Sequence, residues 1–149
     1  MAGRYFDEWQ VGDRVVHAPS RTVTETDNLL ISSLTHNLQP LHLDAEAAGG
    51  SEFGRILVNS CFTFSLAVGL SVADTTLGTL VANLGFDEVR TPAPVFVGDT
   101  LTCSSEVVSL RPSKSRPGQG IVVFRHEMTN QNGVCVLLCL RSVLLKVRG

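Results

Sequence analysis

Charged and aromatic residues are scarce in this sequence. Asp, Glu, Lys and Arg make up 17% of its 149 residues, aromatic residues make up 6%, and the formal net charge is −2. Proteins that bind nucleic acid or an anionic membrane by charge carry a large basic excess, so the composition argues against both partners. The hydrophobic content of 44% is that of a globular chain that can bury a sizeable core, and we expect one domain over residues 1–149.

Three further kinds of segment are missing. The four cysteines, Cys61, Cys103, Cys135 and Cys139, form no C-x-x-C pair, and the last two lie in an apolar run that is typical of buried cysteine. No N-terminal stretch has the pattern of a secretion signal, and no apolar helix candidate is long enough to span a bilayer. We therefore expect a reduced, cytoplasmic protein that binds no metal.

Polar side chains are concentrated in one turn, residues 35–44, with the sequence THNLQPLHLD. Pro40 fixes its own φ and moves Gln39 out of the helical region, so a preceding helix should end before it. We expect the irregular, stiff turn to present Asn37, Gln39 and His42. Polar groups on a rigid loop are typical of an active site, and a helix-ending turn with incidental polar residues is the alternative.

Two helices are predicted from their caps and their periodicity. Residues 24–27, TETD, have the pattern of a capping box, and the helix that follows carries Leu30, Ile31 and Leu34 on one face. Residues 59–73 form a second helix that is apolar almost all round, which predicts that it is buried on nearly every side. A sheet wrapped around this helix would bury it.

The other apolar segments are predicted strands, rich in Val, Leu, Phe and Thr and separated by turn residues. They cover residues 14–23, 79–89, 100–110, 120–129 and 134–147. Pro19 interrupts the first of them, which indicates an edge strand or a bulge. The last is apolar on both alternating sets of residues, so we expect one of its faces to contact a second subunit, most simply in a homodimer.

The turn around Pro40 and His42 resembles the signature of the MaoC-like, (R)-specific enoyl-CoA hydratases, Gly-Asp-x-Asn-Pro-(Leu/Ile)-His-x-Asp. Both residues match it in type and spacing. Asn37 stands where the family has its catalytic Asp, His36 replaces a glycine, and Gln39 replaces an asparagine. The resemblance extends over nearly the whole chain and implies an α+β hot-dog fold, in which an antiparallel sheet wraps around one long buried helix.

The activity that the resemblance implies is that of a hydro-lyase, which adds water across the double bond of an enoyl-CoA thioester. This reaction needs a base, an acid for the α-carbon and donors for the enolate oxygen. His42 can serve as base and acid, whereas Asn37 can orient a water but cannot act as a base. Asn59 and Ser60 lie at the start of the long helix, where the family binds the thioester oxygen with a backbone amide, which is that of Ser60 here. Ordinary helix capping by Asn59 is the other interpretation.

Asparagine at position 37 also removes a negative charge. A substrate carboxylate about 4 Å from an Asp would be repelled by roughly 4 kcal/mol at an effective dielectric constant near 20. Mesaconyl-CoA and itaconyl-CoA carry such a carboxylate, and hydratases for them belong to the wider family. Arg55 is a candidate to bind this carboxylate and Gln39 a further candidate to bind substrate, while Lys114 and Arg116 could meet the CoA phosphates. A surface arginine and a solvated hairpin loop are the alternatives.

Two other functional classes remain open. Hot-dog thioesterases usually place an Asp or Glu on the buried helix, and residues 59–73 contain neither. A non-catalytic subunit that binds acyl thioesters is the other class, and Asn37 is the residue that favours it. CoA would be part of the substrate in each case, and the resemblance implies no separate cofactor.

The three histidines outside the catalytic position have simpler interpretations. His126 shares a strand face with apolar residues and is expected to be structural. His17 is expected on the surface of a strand. His36 is expected at the wall of the site or in solvent.

Overall fold

The computed structural model describes residues 3–149 as a mixed fold of helices and antiparallel strands. After a short 3-10 helix, Phe6–Glu8, the helices are α1 (Glu25–Leu34), α2 (Pro40–Leu43), α3 (Ala45–Gly49) and α4 (Ser60–Thr75). The strands are β1 (Arg14–Val16), β2 (Arg21–Thr22), β3 (Leu80–Arg90), β4 (Thr100–Pro112), β5 (Gln119–Thr129) and β6 (Cys135–Lys146). The strand order is β1-β4-β5-β6-β3, and β2 also pairs with β4.

The main core lies between α4 and the three central strands. Helix α4 contacts β4, β5 and β6, and buried side chains alternate with more exposed ones along β4 and β5, as expected for strands that bury one face. The largest buried residues of the cluster around Ala67 of α4 are Leu101, Met128 and Leu137. A second buried cluster packs Phe124 and Leu145 with Trp9. The predicted antiparallel sheet around one long helix is therefore confirmed.

The inward face of α4 is made of small residues. Its buried members are Thr63, Ala67, Ser71 and Thr75, whereas Cys61, Ser65 and Gly69 are exposed and the large apolar side chains are only partly buried. The prediction that this helix is buried on nearly every side is wrong for the single chain, because one sheet can cover only one face of a helix.

Helix α1 also differs from its prediction. The capping box is present, since Thr24 and Asp27 exchange hydrogen bonds between their side chains and backbone amides. The buried residues, however, are Asn28 and Ser32, whereas Leu34 is 77% exposed. The apolar face that the periodicity indicates therefore lies outward, because the inward side chains have hydrogen-bond partners that the sequence does not reveal.

The first predicted strand forms as two short pieces on either side of Pro19, which cannot donate a ladder hydrogen bond. His17 lies between them and is only 2% exposed, so its predicted place on the surface is wrong. Its Nδ1 donates to Asp74 at 2.7 Å, and its Nε2 accepts from the Ser105 hydroxyl at 2.7 Å. These two partners satisfy both ring nitrogens and make the burial of an imidazole possible.

This hydrogen-bonded chain continues to His126, which is fully buried, as its structural interpretation requires. Ser105 Oγ accepts from His126 Nδ1 at 2.7 Å, and Nε2 of His126 has no partner in the described residues. We call Asp74, His17, Ser105 and His126 the Asp74–His126 chain. Burial above all, together with the charges of Arg141 and His17, lowers the pKa of His126 to about 3.

Candidate active site

His42 lies in a short helix rather than in the irregular turn that was predicted. Pro40 occupies the first position of α2, where a missing N–H is not needed, and Gln39 before it is non-helical as expected. His42 is partly buried, and its Nδ1 lies 2.7 Å from the carbonyl oxygen of Leu57. A carbonyl can only accept, so Nδ1 carries the proton and Nε2 keeps its lone pair in the neutral ring. The imidazole is thus held in the tautomer of a general base.

One buried side chain joins the His42 turn to the start of α4. Asn28, 3% exposed, donates from Nδ2 to the carbonyl of His42 at 3.0 Å and accepts at Oδ1 from the amide of Asn59 at 2.9 Å. Asn59 Nδ2 in turn donates to Ser32 Oγ at 3.3 Å. Sequence reasoning missed both Asn28 and Ser32, because their partners lie far away in the chain.

The start of α4 offers an amide without a partner. Asn59 caps the helix by accepting at Oδ1 from the amide of Cys61 at 2.9 Å, as the alternative interpretation of this residue expected. The amide of Phe62 bonds to the carbonyl of Asn59 at 3.0 Å. The amide of Ser60 makes no hydrogen bond with residues 3–149. A free N–H at the positive end of a 16-residue helix can bind an oxyanion.

Two clefts of the described chain adjoin the segment 55–58. The first, about 330 Å³, is the His42 cleft. Besides His42 it is lined by Glu25, Asn28, Leu29, Leu43, Arg55, Ile56 and Val97. The second, about 270 Å³, is the Ser60 cleft. Besides Ser60 it is lined by Phe53, Leu57, Val58, Thr63, residues 91–95 and Val136.

Leu57 connects the two clefts. Its carbonyl holds the His42 imidazole while its side chain lines the Ser60 cleft. The histidine and the free amide are thus coupled twice, through Leu57 and through the hydrogen bonds of Asn28.

The structure connects the other predicted site residues less directly with the two clefts. Arg55 lines the His42 cleft, with its guanidinium 3.9 Å from the ring centre of Phe96. Asn37 and Gln39 are outside the lining of both clefts, and Asn37 Oδ1 accepts from the amide of Gln39 at 3.2 Å. Lys114 and Arg116 are exposed in the loop between β4 and β5. The roles of these residues stay predictions.

Two cleft residues escaped sequence reasoning. Glu25 is the one carboxylate that lines either cleft in residues 3–149, and a first-turn acid reads in sequence as ordinary helix stabilisation. Thr63 lies one turn after Ser60 on the same face of α4, and this spacing of three was its only signal.

The backbone at His36 shows why the signature has a glycine at this position. Its φ is +55°, in the left-handed region that glycine adopts at no steric cost. A glycine at this position of the signature therefore has a conformational reason, and histidine here costs about 1 kcal/mol of backbone strain. His36 is exposed, as one of its two interpretations expected.

Comparison with known proteins identifies the family. Residues 8–128 match the family described as MaoC like domain. The chain belongs to the MaoC-like family. This MaoC-like chain is 35% identical over 147 residues to mesaconyl-CoA hydratase of Cereibacter sphaeroides, and the match covers 99% of the chain but 42% of the relative. It thus spans less than half the length of that curated relative.

Solved structures confirm the fold of the MaoC-like chain. A MaoC domain dehydratase protein from Chloroflexus aurantiacus superposes with a TM-score of 0.92 at 33% identity, covering 99% of this chain and 41% of the other. A Mycobacterium tuberculosis protein described as having a double hot-dog fold gives a TM-score of 0.86 at 27% identity, covering 98% and 45%. The hot-dog fold implied by the signature is confirmed. No helix in residues 3–149 is long and apolar enough to cross a membrane.

Proposed function

We propose that this MaoC-like domain is a cytoplasmic hydro-lyase that adds water across the double bond of an enoyl-CoA thioester, with CoA as part of the substrate. The observation that carries the proposal is the His42 imidazole, which is fixed by the Leu57 carbonyl and leaves Nε2 as a base beside a cleft. The free amide of Ser60, joined to the same turn through Asn28, supplies the matching oxyanion donor.

The proposed chemistry uses one histidine as base and then as acid. Nε2 of His42 takes a proton from water, and the water oxygen bonds to the β-carbon. The electron pair of the double bond moves through the α-carbon to the thioester oxygen, where the Ser60 amide stabilises the enolate. The imidazolium then returns the proton to the α-carbon as the carbonyl reforms, and Asn37 orients the water through its carboxamide.

A carboxylated enoyl group is the proposed substrate class. The name of the Cereibacter sphaeroides relative, a mesaconyl-CoA hydratase, supports it. Arg55 lines the His42 cleft and is proposed to pair with the carboxylate, with Gln39 as a further contact. Lys114 and Arg116 are proposed to meet the CoA phosphates.

A panel of enoyl-CoA thioesters, including crotonyl-, mesaconyl- and itaconyl-CoA, tests this function. We expect the enoyl absorbance to fall without release of free thiol. Release of thiol would support a hot-dog thioesterase instead. Binding of the panel with neither reaction would support a non-catalytic subunit and overturn the proposal.

Asn37→Asp is expected to shift substrate preference toward neutral substrates. The new carboxylate can activate water for crotonyl-CoA, and it repels the carboxylate of mesaconyl-CoA. The ratio of kcat/KM values should move by about tenfold to a thousandfold, the upper limit matching roughly 4 kcal/mol of repulsion. Measuring kcat/KM for both substrates in both proteins gives this ratio.

The matched control for this shift is Asn132→Asp, which adds the same charge at an exposed turn between β5 and β6. Its specificity ratio should equal that of the wild type. A ratio that stays constant in Asn37→Asp, or that moves toward mesaconyl-CoA, would rule out charge tolerance as the reason for Asn37.

A homodimer is the proposed assembly. Strand β3 pairs only with β6 and leaves an open edge, and its apolar residues Leu84, Phe86 and Val89 are exposed. The double hot-dog fold of the Mycobacterium tuberculosis protein supports a second domain against the first. Sedimentation at micromolar concentration should give twice 16.0 kDa. Leu84→Lys should weaken the dimer, whereas Val11→Lys, at an exposed site outside β3, should leave it intact. A wild-type species of 16.0 kDa would refute the proposed homodimer.

A further inference from the structure

The hydroxyl of Thr63 is buried without a hydrogen-bond partner. The residue is 2% exposed, and Oγ1 has no acceptor or donor within residues 3–149. A threonine inside a helix usually bonds its hydroxyl to a carbonyl one turn earlier, as Thr75 does here to the carbonyl of Ser71. The Thr63 hydroxyl makes no such bond. A buried hydroxyl left open marks a place where a water or a ligand belongs.

Thr63 shares its surroundings with the free amide of Ser60. Both residues line the Ser60 cleft of about 270 Å³, one turn apart on the same face of α4. Much of the remaining wall is apolar, with contributions from Leu57, Val95 and Val136. Two residues with unpaired donors therefore line a cleft that is otherwise suited to hydrocarbon.

The unpaired donors and the apolar wall together indicate which kind of ligand the Ser60 cleft can bind. An N–H donor and an O–H donor one turn apart on the same helix face fit one oxygen acceptor, and an apolar wall fits an alkyl or alkenyl chain attached to it. A hydrogen bond in such a water-poor cleft strengthens as negative charge develops on the oxygen. An acyl thioester that becomes an enolate has each of these properties.

We propose that Thr63 is a further catalytic residue, whose hydroxyl donates to the thioester oxygen together with the Ser60 amide as the enolate forms. The inference rests on the proposed hydration function and deepens it. It also assigns the thioester carbonyl of the substrate to the Ser60 cleft. No bond to Thr63 forms or breaks, because its proton stays on Oγ1 throughout.

Thr63→Val tests this role, since valine keeps the β-branched shape and removes only the hydroxyl. With crotonyl- or mesaconyl-CoA, whichever the wild type turns over faster, we expect kcat to fall about a hundredfold while KM changes little. Thr63→Ser should restore most of the activity. The melting temperature of Thr63→Val should not fall, because the lost hydroxyl had no partner in the protein.

Thr76→Val is the matched control. The Thr76 hydroxyl is also buried and unpaired, but it lies just past the other end of α4 and outside the lining of both clefts. This variant should keep wild-type kcat. Equal losses in both variants, or a rise in KM with kcat unchanged in Thr63→Val, would overturn the assignment.

Failure of the proposed function looks different, because the wild type itself would then hydrate no substrate. Calorimetric titration with butyryl-CoA, which has the thioester oxygen but no double bond, decides the matter in that case. Weaker binding by Thr63→Val than by Thr76→Val supports Thr63 as a donor to the thioester. Equal binding by the two variants overturns it.

Discussion

His42→Ala is expected to lower kcat for enoyl-CoA hydration by about a hundredfold to ten-thousandfold, the usual loss when a sole acid/base group is removed. His42 is the one histidine that lines either cleft of the described chain, and an imidazole is the side chain that exchanges protons readily near neutral pH. Neither Asn37 nor the hydroxyls of the Ser60 cleft can replace it. The loss should appear in kcat measured at saturating substrate.

The fold should survive this substitution. The side chain of His42 is only partly buried, and alanine removes one hydrogen bond to the Leu57 carbonyl, worth about 1 kcal/mol. Circular dichroism and the melting curve would show this. His36→Ala, at an exposed histidine six residues earlier, is the matched control and should keep its turnover. If His42→Ala retained more than a third of wild-type turnover, His42 would have no place in the chemistry.

Acid is expected to destabilise the protein well above the range in which carboxylates titrate. The pKa of His126 is about 3 in the folded chain and 6.5 in its ordinary environment. Between these values the unfolded chain binds one more proton than the folded chain, so the free energy of unfolding falls as pH falls. This group alone contributes roughly 2 kcal/mol between pH 6.5 and 4.5, because its slope is half the full value at pH 6.5 and approaches the full value below it.

The surroundings of His126 explain why its pKa is low and why the free energy of unfolding depends on pH. Burial penalises the imidazolium first, and the guanidinium of the buried Arg141 on β6 and the charge of His17 add to it. Asp27 acts in a lower window, because the hydrogen bond from Arg21 lowers its pKa from 3.8 to about 2. Its contribution is present above 3.8 and is lost only as pH falls toward 2. The interval from pH 4.5 to 6.5 therefore excludes the contribution of Asp27.

Urea unfolding at several pH values in that interval measures the slope. His126→Gln keeps an amide that can bond to Ser105 and removes the titration, so its mean slope should be smaller by about 1 kcal/mol per pH unit. His36→Gln removes an exposed histidine and should leave the wild-type slope unchanged. Identical slopes in His126→Gln and the wild type would show that another group causes the acid sensitivity.

Local patterns in the sequence predict local structure well here. The capping box at Thr24, the cap at Asn59 and the alternating strands β4 and β5 each depend on residues a few positions apart. The Asp74–His126 chain could not be found in this way. Its three hydrogen bonds join residues 57, 88 and 21 positions apart, and only the folded sheet and helix bring them together.

The candidate site also has one part that local sequence patterns predict and one part that only the fold reveals. The spacing around Pro40 locates His42, because a motif is a local pattern. Asn28 is invisible in sequence, since its partners are 14 and 31 positions away. The outward leucines of α1 and the open face of α4 were misjudged because apolar periodicity shows which residues avoid water. It does not show which chain covers them.

The stripe of small residues on α4 determines how closely the helix packs against the sheet. With Thr63, Ala67, Ser71 and Thr75 as its buried contacts, the spacing between helix and strands is set by side chains of minimal volume. A bulkier residue at Ala67, which is fully buried, would lift the helix rather than fill a gap. The Ser60 amide and the Thr63 hydroxyl would move with it, against the two hydrogen bonds of Asn28 that join the start of α4 to the His42 turn. Core residues that line neither cleft would therefore change the distance between the two halves of the proposed site, although the side chains of that site stay the same.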